Sequence, residues 1–136
     1  MDGGRGLELL AARIKATASR AATIPELADL ADALADALQQ VETATQAAWA
    51  TGQPGEALAN AVPYMQAFGH TVLAWIWLDV ALASLKSDAT KAIAAHVGRM
   101  GANRYFYHYE LPKIGAWLKV VKTRDLTCAN LPEEAF

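Results

Sequence analysis

The strongest constraint on the fold is a repeat of apolar residues seven positions apart. Leu27, Leu34, Val41 and Ala48 recur at that interval, with Leu30, Ala37 and Ala44 between them. Steps of three and four keep one face of an α-helix apolar, whereas a strand would scatter the same residues over both faces. A seam of this kind has to be covered by another helix, which suits an antiparallel bundle partner. The opposite face carries Asp29, Asp32, Asp36, Gln40 and Thr43. It reads as a solvated acidic face, and the early acids also suit the positive end of the helix. Thr23, Ile24, Pro25 and Glu26 precede the seam as a capping-box pattern. The Thr23 hydroxyl can accept an orphan amide, and Glu26 can reach back to the cap. Pro25 is tolerated in a first turn, where amides lack intrahelical partners.

Three further helices follow from the pattern. The first, Leu7 to Ala21, has a modest apolar face of Leu7, Leu10, Ala11 and Ile14. After the seam helix, the turn Thr51 to Gly55 offers Gly52 as C-cap and Pro54 as a stop. The next helix begins near Gly55 to Asn60 and runs to about Lys86, with Pro63 in its first turns or kinking it. It is apolar nearly all round, as expected of a central helix covered by neighbours. Ser87 or Asp88 then caps a fourth helix, from about Ala89 to Thr123, with the stripe Ile93, Val97, Met100, Leu111, Ile114, Leu118 and Val121. Pro112 lacks an amide and crowds the carbonyl of His108, so a kink or local break is expected there. The sequence therefore predicts an all-α, antiparallel up-and-down four-helix bundle, its last helix kinked near Pro112. It forms one domain over residues 1–136, with 1–6 linker-like and 125–136 a loosely ordered tail. Alanine, the best helix former, is the commonest residue, and Val and Ile are sparse outside the second half, which argues against a sheet.

Composition narrows the function. A formal net charge of -2 with scattered Lys and Arg gives no basic stripe, so a nucleic-acid partner is not expected. The single cysteine, Cys128, rules out an internal disulfide and a cysteine-based zinc site. A cytoplasmic setting is the default, and the first residues lack the apolar core of a signal peptide. Residues 62–85 are long enough to span a bilayer. Gln66, His70, Thr71 and Asp79 interrupt them, however, and an acid at mid-span costs about 2.5–3.5 kcal/mol on insertion scales. No membrane span is expected.

Candidate site residues are few. His70, His96 and His108 form no ligand motif, and no Glu-x-x-His occurs for a di-metal bundle site. His108 and Glu110 are two apart and face different ways on a helix. Asp79 stands alone in an apolar run, and a buried carboxylate wants a partner. Arg99 or Arg104 of the last helix is the expected one. Trp75, Trp77, Trp117, Tyr105, Phe106, Tyr107 and Tyr109 could form a ligand box or, more simply, core and interface. Tyr105, Phe106 and Tyr107 are consecutive, so at least one of them points outward, toward a partner surface. Neither a nucleophile with a nearby base nor a glycine-rich phosphate cradle is present in the sequence.

Four segments carry a family resemblance: Tyr64 to Gly69, the run Trp75 to Leu78, the segment Ala102 to Phe106, and the Leu111–Pro112 step. Over roughly Leu58 to Thr123 the chain resembles the C-terminal helical domain of long bacterial acyl-CoA dehydrogenases. The resemblance implies an accessory domain of an FAD-dependent enzyme. In that family a Glu of the central domain removes the α-proton of an acyl thioester while the flavin takes the β-hydride. Neither that Glu nor the flavin pocket belongs to the terminal domain. Glu110 follows Tyr109 as in some dehydrogenases, but Leu111 and Pro112 come next, so the role does not transfer. The resemblance therefore implies no catalytic, cofactor-binding or metal residue in this chain, with FAD held by the parent enzyme. Its implied partners are the dehydrogenase core of the same polypeptide and further copies of the chain, with Asp79, Arg99, Arg104, Tyr105, Tyr107, Tyr109, Trp75 and Trp77 as structural or interface candidates. The alternatives are a free-standing helical module that homodimerises through its aromatic face, or a bundle binding an apolar ligand near Trp75 and Trp77.

Overall fold

The computed structural model describes residues 4–86 and 93–135, and every regular element among them is helical. Ser87 and Asp88, the expected caps of the last helix, lie outside the described residues. Helix α1 spans Arg5–Ala22 and α2 spans Ala28–Ala48. Every residue of the heptad seam, from Leu27 to Ala48, is buried. α1 packs against α2 and buries Ala11, Ile14, Thr17, Ala18 and Ala21. Those side chains are mostly small, which lets the two backbones come close.

The capping box does not form. Thr23 Oγ1 donates to the carbonyl of Arg20 at 2.8 Å, so Thr23 closes α1 instead of opening α2. α2 starts only at Ala28, with no side-chain cap. A hydroxyl one residue past a helix finds an orphan carbonyl of the last turn close by, and that local bond wins. At the other end of α2, Gly52 takes a left-handed φ of 68° and its amide donates to Trp49 at 3.0 Å. Glycine adopts that conformation without a Cβ clash. Pro54 does not merely stop the helix. It opens a short α3, Pro54–Leu58, at a position where a missing amide is harmless.

Helix α4, Ala61–Lys86, holds Pro63 in its first turn and touches α1, α2, α5 and α6. It turns Ala67, Thr71, Ala74, Leu78, Ala81 and Leu82 inward. Its cover is incomplete, contrary to the sequence expectation: Val62, Met65, Leu73, Ile76 and Val80 on the far side are exposed.

The expected fourth helix is divided. α5 covers Ile93–Tyr105, a π turn Phe106–Glu110, a 3-10 turn Leu111–Lys113, and α6 covers Ile114–Lys122. Pro112 has no amide to give His108, and the amide of Leu111 reaches five residues back to Phe106. A π turn spends more residues per turn than an α-helix and a 3-10 turn fewer. The two departures offset each other. Hence Met100, Asn103, Tyr107, Leu111, Ile114, Leu118 and Val121 stay on one buried face across the break. Ile93 and Val97, expected on that stripe, are exposed, because the first turns of α5 contribute no buried residue.

α6 ends in a Schellman turn. The amides of Arg124 and Asp125 donate to Val121 and Val120, each at 3.1 Å. Arg124 sits at φ 49°, a conformation usually left to glycine. Its guanidinium gives the reason. Nη1 donates to the carbonyl of Ala47 in the last turn of α2 at 2.7 Å, and Nε lies 3.8 Å from Glu56. Asn60 Nδ2 donates to the Asp125 carbonyl at 2.8 Å, which tethers the start of the tail. Residues 127–135 are exposed.

Candidate functional site

The residues singled out from sequence do not converge on one cavity. Most of them brace α4 against its neighbours. Trp75 Nε1 donates to Thr17 Oγ1 of α1 at 2.8 Å. Asp79 pairs with Arg20 of α1 at 3.0 Å, and both side chains are more than half exposed. The expected pairing with Arg99 or Arg104 is therefore corrected. Asp79 lies on the solvent side of α4, where it needs no buried partner, and an exposed pair of this kind contributes about 0–1 kcal/mol. Arg99 instead donates to Ser84 at 2.9 Å. Arg104 reaches α2's acidic end, bonding Asp29 at 3.2 Å and the Glu26 carbonyl at 2.9 Å.

Two side chains of the last segments reach backbone carbonyls of α4. Tyr107 Oη donates to Ala74 at 2.8 Å, and Asn103 Nδ2 donates to Trp77 at 3.2 Å. Burial pushes the Tyr107 phenol well above its ordinary value, so it stays a neutral donor. The Asn103 side-chain oxygen is buried without a hydrogen-bond partner. Of the three consecutive aromatics, Tyr107 is buried, Phe106 half-buried and Tyr105 exposed. Tyr105 stacks on Tyr109, also exposed, with ring centroids 4.9 Å apart and planes 16° from parallel. The steps of four from Ile93 through Val97 and Gly101 to Tyr105 put exposed apolar groups along one side of α5.

One polar cluster escaped the sequence reading. His70 of α4 holds the Gln66 carbonyl through Nδ1 at 3.1 Å, and its Nε2 lies 3.7 Å from Glu110. The ring packs edge-on against Trp117, with centroids 4.8 Å apart. Lys113 Nζ donates to Glu110 at 2.7 Å. That bond, with the lysine charge and His70 behind it, holds the Glu110 carboxyl below the usual carboxylate range against a smaller opposing effect of desolvation. The sequence set Glu110 against His108 only to reject the pair, and His108 is exposed. No spacing rule links His70 to Glu110, because they lie on different helices. The cluster can lock α4 to the segment before α6; it offers no nucleophile.

Among the described residues no three His, Cys, Asp or Glu side chains come together in a way that could hold a metal ion. An open depression on α4 is lined by Ala61, Val62, Met65 and Gln66. Its lining carries no charged side chain.

No curated protein and no solved structure matches the chain. A family model described as "Acetyl-CoA dehydrogenase C-terminal like" matches residues 10–132. The match takes in α1 and α2 as well as the stretch that carried the resemblance in sequence. The chain therefore belongs to the acetyl-CoA dehydrogenase C-terminal-like family.

Proposed function

We propose that this chain is the C-terminal accessory domain of an FAD-dependent acyl-CoA dehydrogenase, and that it contributes packing and oligomer assembly while the flavin chemistry resides in the core of the parent enzyme. The arrangement of α1, α2, α4 and the α5–α6 segment is read as an antiparallel up-and-down bundle in a cytoplasmic protein. One observation carries the packing role: Ile93, Val97 and Tyr105 of α5, with Tyr109 of the π turn, leave an exposed apolar and aromatic side. Exposed aromatic side chains at one surface are the usual material of interface hot spots. Family membership supports a dehydrogenase core as the partner. The remaining polar candidates are already engaged, Asp79 and Arg99 at α4 and Arg104 at α2, which leaves them poorly placed for acid–base work.

Two measurements test this reading. An absorbance scan of the purified chain, with an acyl-CoA oxidation assay on the same sample, is expected to show neither flavin nor turnover. Stoichiometric flavin, or turnover by the chain alone, would overturn it. Added to a flavin-loaded acyl-CoA dehydrogenase core of its own parent enzyme, the chain is expected to bind, and the Tyr105→Ala, Tyr109→Ala double variant to bind at least about tenfold more weakly.

A further inference from the structure

The outer face of α4 differs from an ordinary solvated helix face. Val62, Met65, Leu73, Ile76 and Val80 are 72%, 60%, 46%, 49% and 39% exposed. Steps of three and four place them, with Gly69, on one stripe. Half of the residues that the same helix buries are alanine, and Leu78 and Leu82 are the large ones among them. A run of aliphatic side chains thus points away from the protein's own core, and the depression at Ala61, Val62, Met65 and Gln66 opens on the same stripe.

We propose that this stripe is a two-fold, antiparallel contact between two copies of the chain. The inference names the surface and the partner for the assembly role proposed above, and it rests on that reading.

The order of residues along the stripe is close to its own mirror image about Thr71. An antiparallel partner sets Val62 against Val80, Met65 against Ile76, and Gly69 against Leu73. A Cβ built on Gly69 meets nothing within 4 Å. Gly69 therefore leaves a notch near the middle of the stripe, and Leu73 of the second copy fills it. The same pairing repeats across the axis, as a two-fold contact requires. Charge favours this direction. Parallel copies would place the two Asp79 carboxylates side by side. Antiparallel copies place each near the first turn of the other α4, the positive end of that helix. Size sets the strength. Val62 to Val80 is a strip about 27 Å long and about 10 Å wide. Two such strips come to about 540 Å² before their rims are added, at the small end for a specific interface, so a weak, reversible dimer is expected. A bilayer is the weaker occupant. By length and composition alone Ala61–Lys86 could cross one, but the Arg20–Asp79 pair borders the face that lipid would cover.

Sedimentation velocity of the chain from about 1 to about 100 µM tests the contact. A monomer–dimer equilibrium is expected. A Cβ at position 69 has open space, so Gly69→Leu should not lower the melting temperature and, by filling the notch, should weaken the dimer at least about tenfold; Leu73→Glu should do the same to the dimer. In a Cys128→Ser background, oxidising a mixture of Val62→Cys and Val80→Cys chains should give the crossed dimer, and either variant alone far less. A monomer at every concentration overturns the proposal, while the flavin scan decides the accessory-domain reading separately. A dimer untouched by Gly69→Leu places the contact elsewhere and also overturns it. Equal cross-linking by the single variants overturns the antiparallel direction. Floating of the monomer with phosphatidylcholine vesicles, abolished by Leu73→Glu, would put lipid in place of the second copy.

Discussion

The two sides of α4 are equally apolar, yet they do different things. The inward side uses Ala67, Thr71, Ala74, Leu78, Ala81 and Leu82. Small residues let α1, α2 and α6 approach closely, and side chains from α5 and the π turn then reach the helix backbone at Ala74 and Trp77. The outward side uses Val62, Met65, Leu73, Ile76 and Val80 around one glycine. Hydrophobicity alone does not distinguish the sides; three alanines mark the inward one, beside Leu78 and Leu82. Here the side with Ala67, Ala74 and Ala81 meets the chain's own helices, and the side with Val62, Met65, Leu73, Ile76 and Val80 is left uncovered.

The largest expected effect sharpens that contrast directly. Leu78 is fully buried, so Leu78→Ala should cost about 2–5 kcal/mol in chemical denaturation. Leu73→Ala on the opposite side should stay within about 0.5 kcal/mol when the chain is dilute enough to be monomeric. Equal losses would break the comparison. Next comes the polar brace: Tyr107→Phe removes the bond to Ala74 and should cost about 0.5–1.5 kcal/mol by the same measurement. Gly69→Ala carries the opposite sign. With open space around its Cβ, it should raise monomer stability by up to about 1 kcal/mol, and a loss would mean that the outer face is already packed. The smallest effect is that of Glu110. Its carboxyl is held below the ordinary range by Lys113 first and then His70. A depressed carboxylate stabilises at pH above its unfolded value, and the contribution fades as pH falls through the folded value. Melting curves from about pH 7 to about pH 3 should therefore show wild type ahead of Glu110→Gln at neutral pH and the gap closing in acid.

How much of this was legible in sequence depended on how regular the signal was. The α2 seam was fully readable, because seven evenly spaced apolar positions admit one phase. The caps were not. Thr23 has two backbone targets within reach, and choosing between them needs the geometry of both helix ends. Ile93 and Val97 were placed inside because the period fitted. Period gives a face, but not the length over which a neighbour covers it. The same limit hid the open side of α4. Asp79 was sent to the last helix because an isolated acid suggests burial, whereas Arg20 of α1 meets it at the surface. His70 and Glu110 meet only through the packing of α4 against the π turn, which no local pattern announces. The family resemblance was legible from the second half alone, and the family match then extended it over residues 10–132.

Arg124 has a consequence for the order of events in folding. Its bond to the Ala47 carbonyl joins residues 77 apart in the chain. Closing so long a loop costs entropy before the bond returns anything. The latch is therefore expected to form after the helices have met, and to be absent at the folding barrier. Stopped-flow kinetics of Arg124→Ala should show faster unfolding and an almost unchanged refolding rate, the signature of a contact that keeps the native state shut without helping to build it.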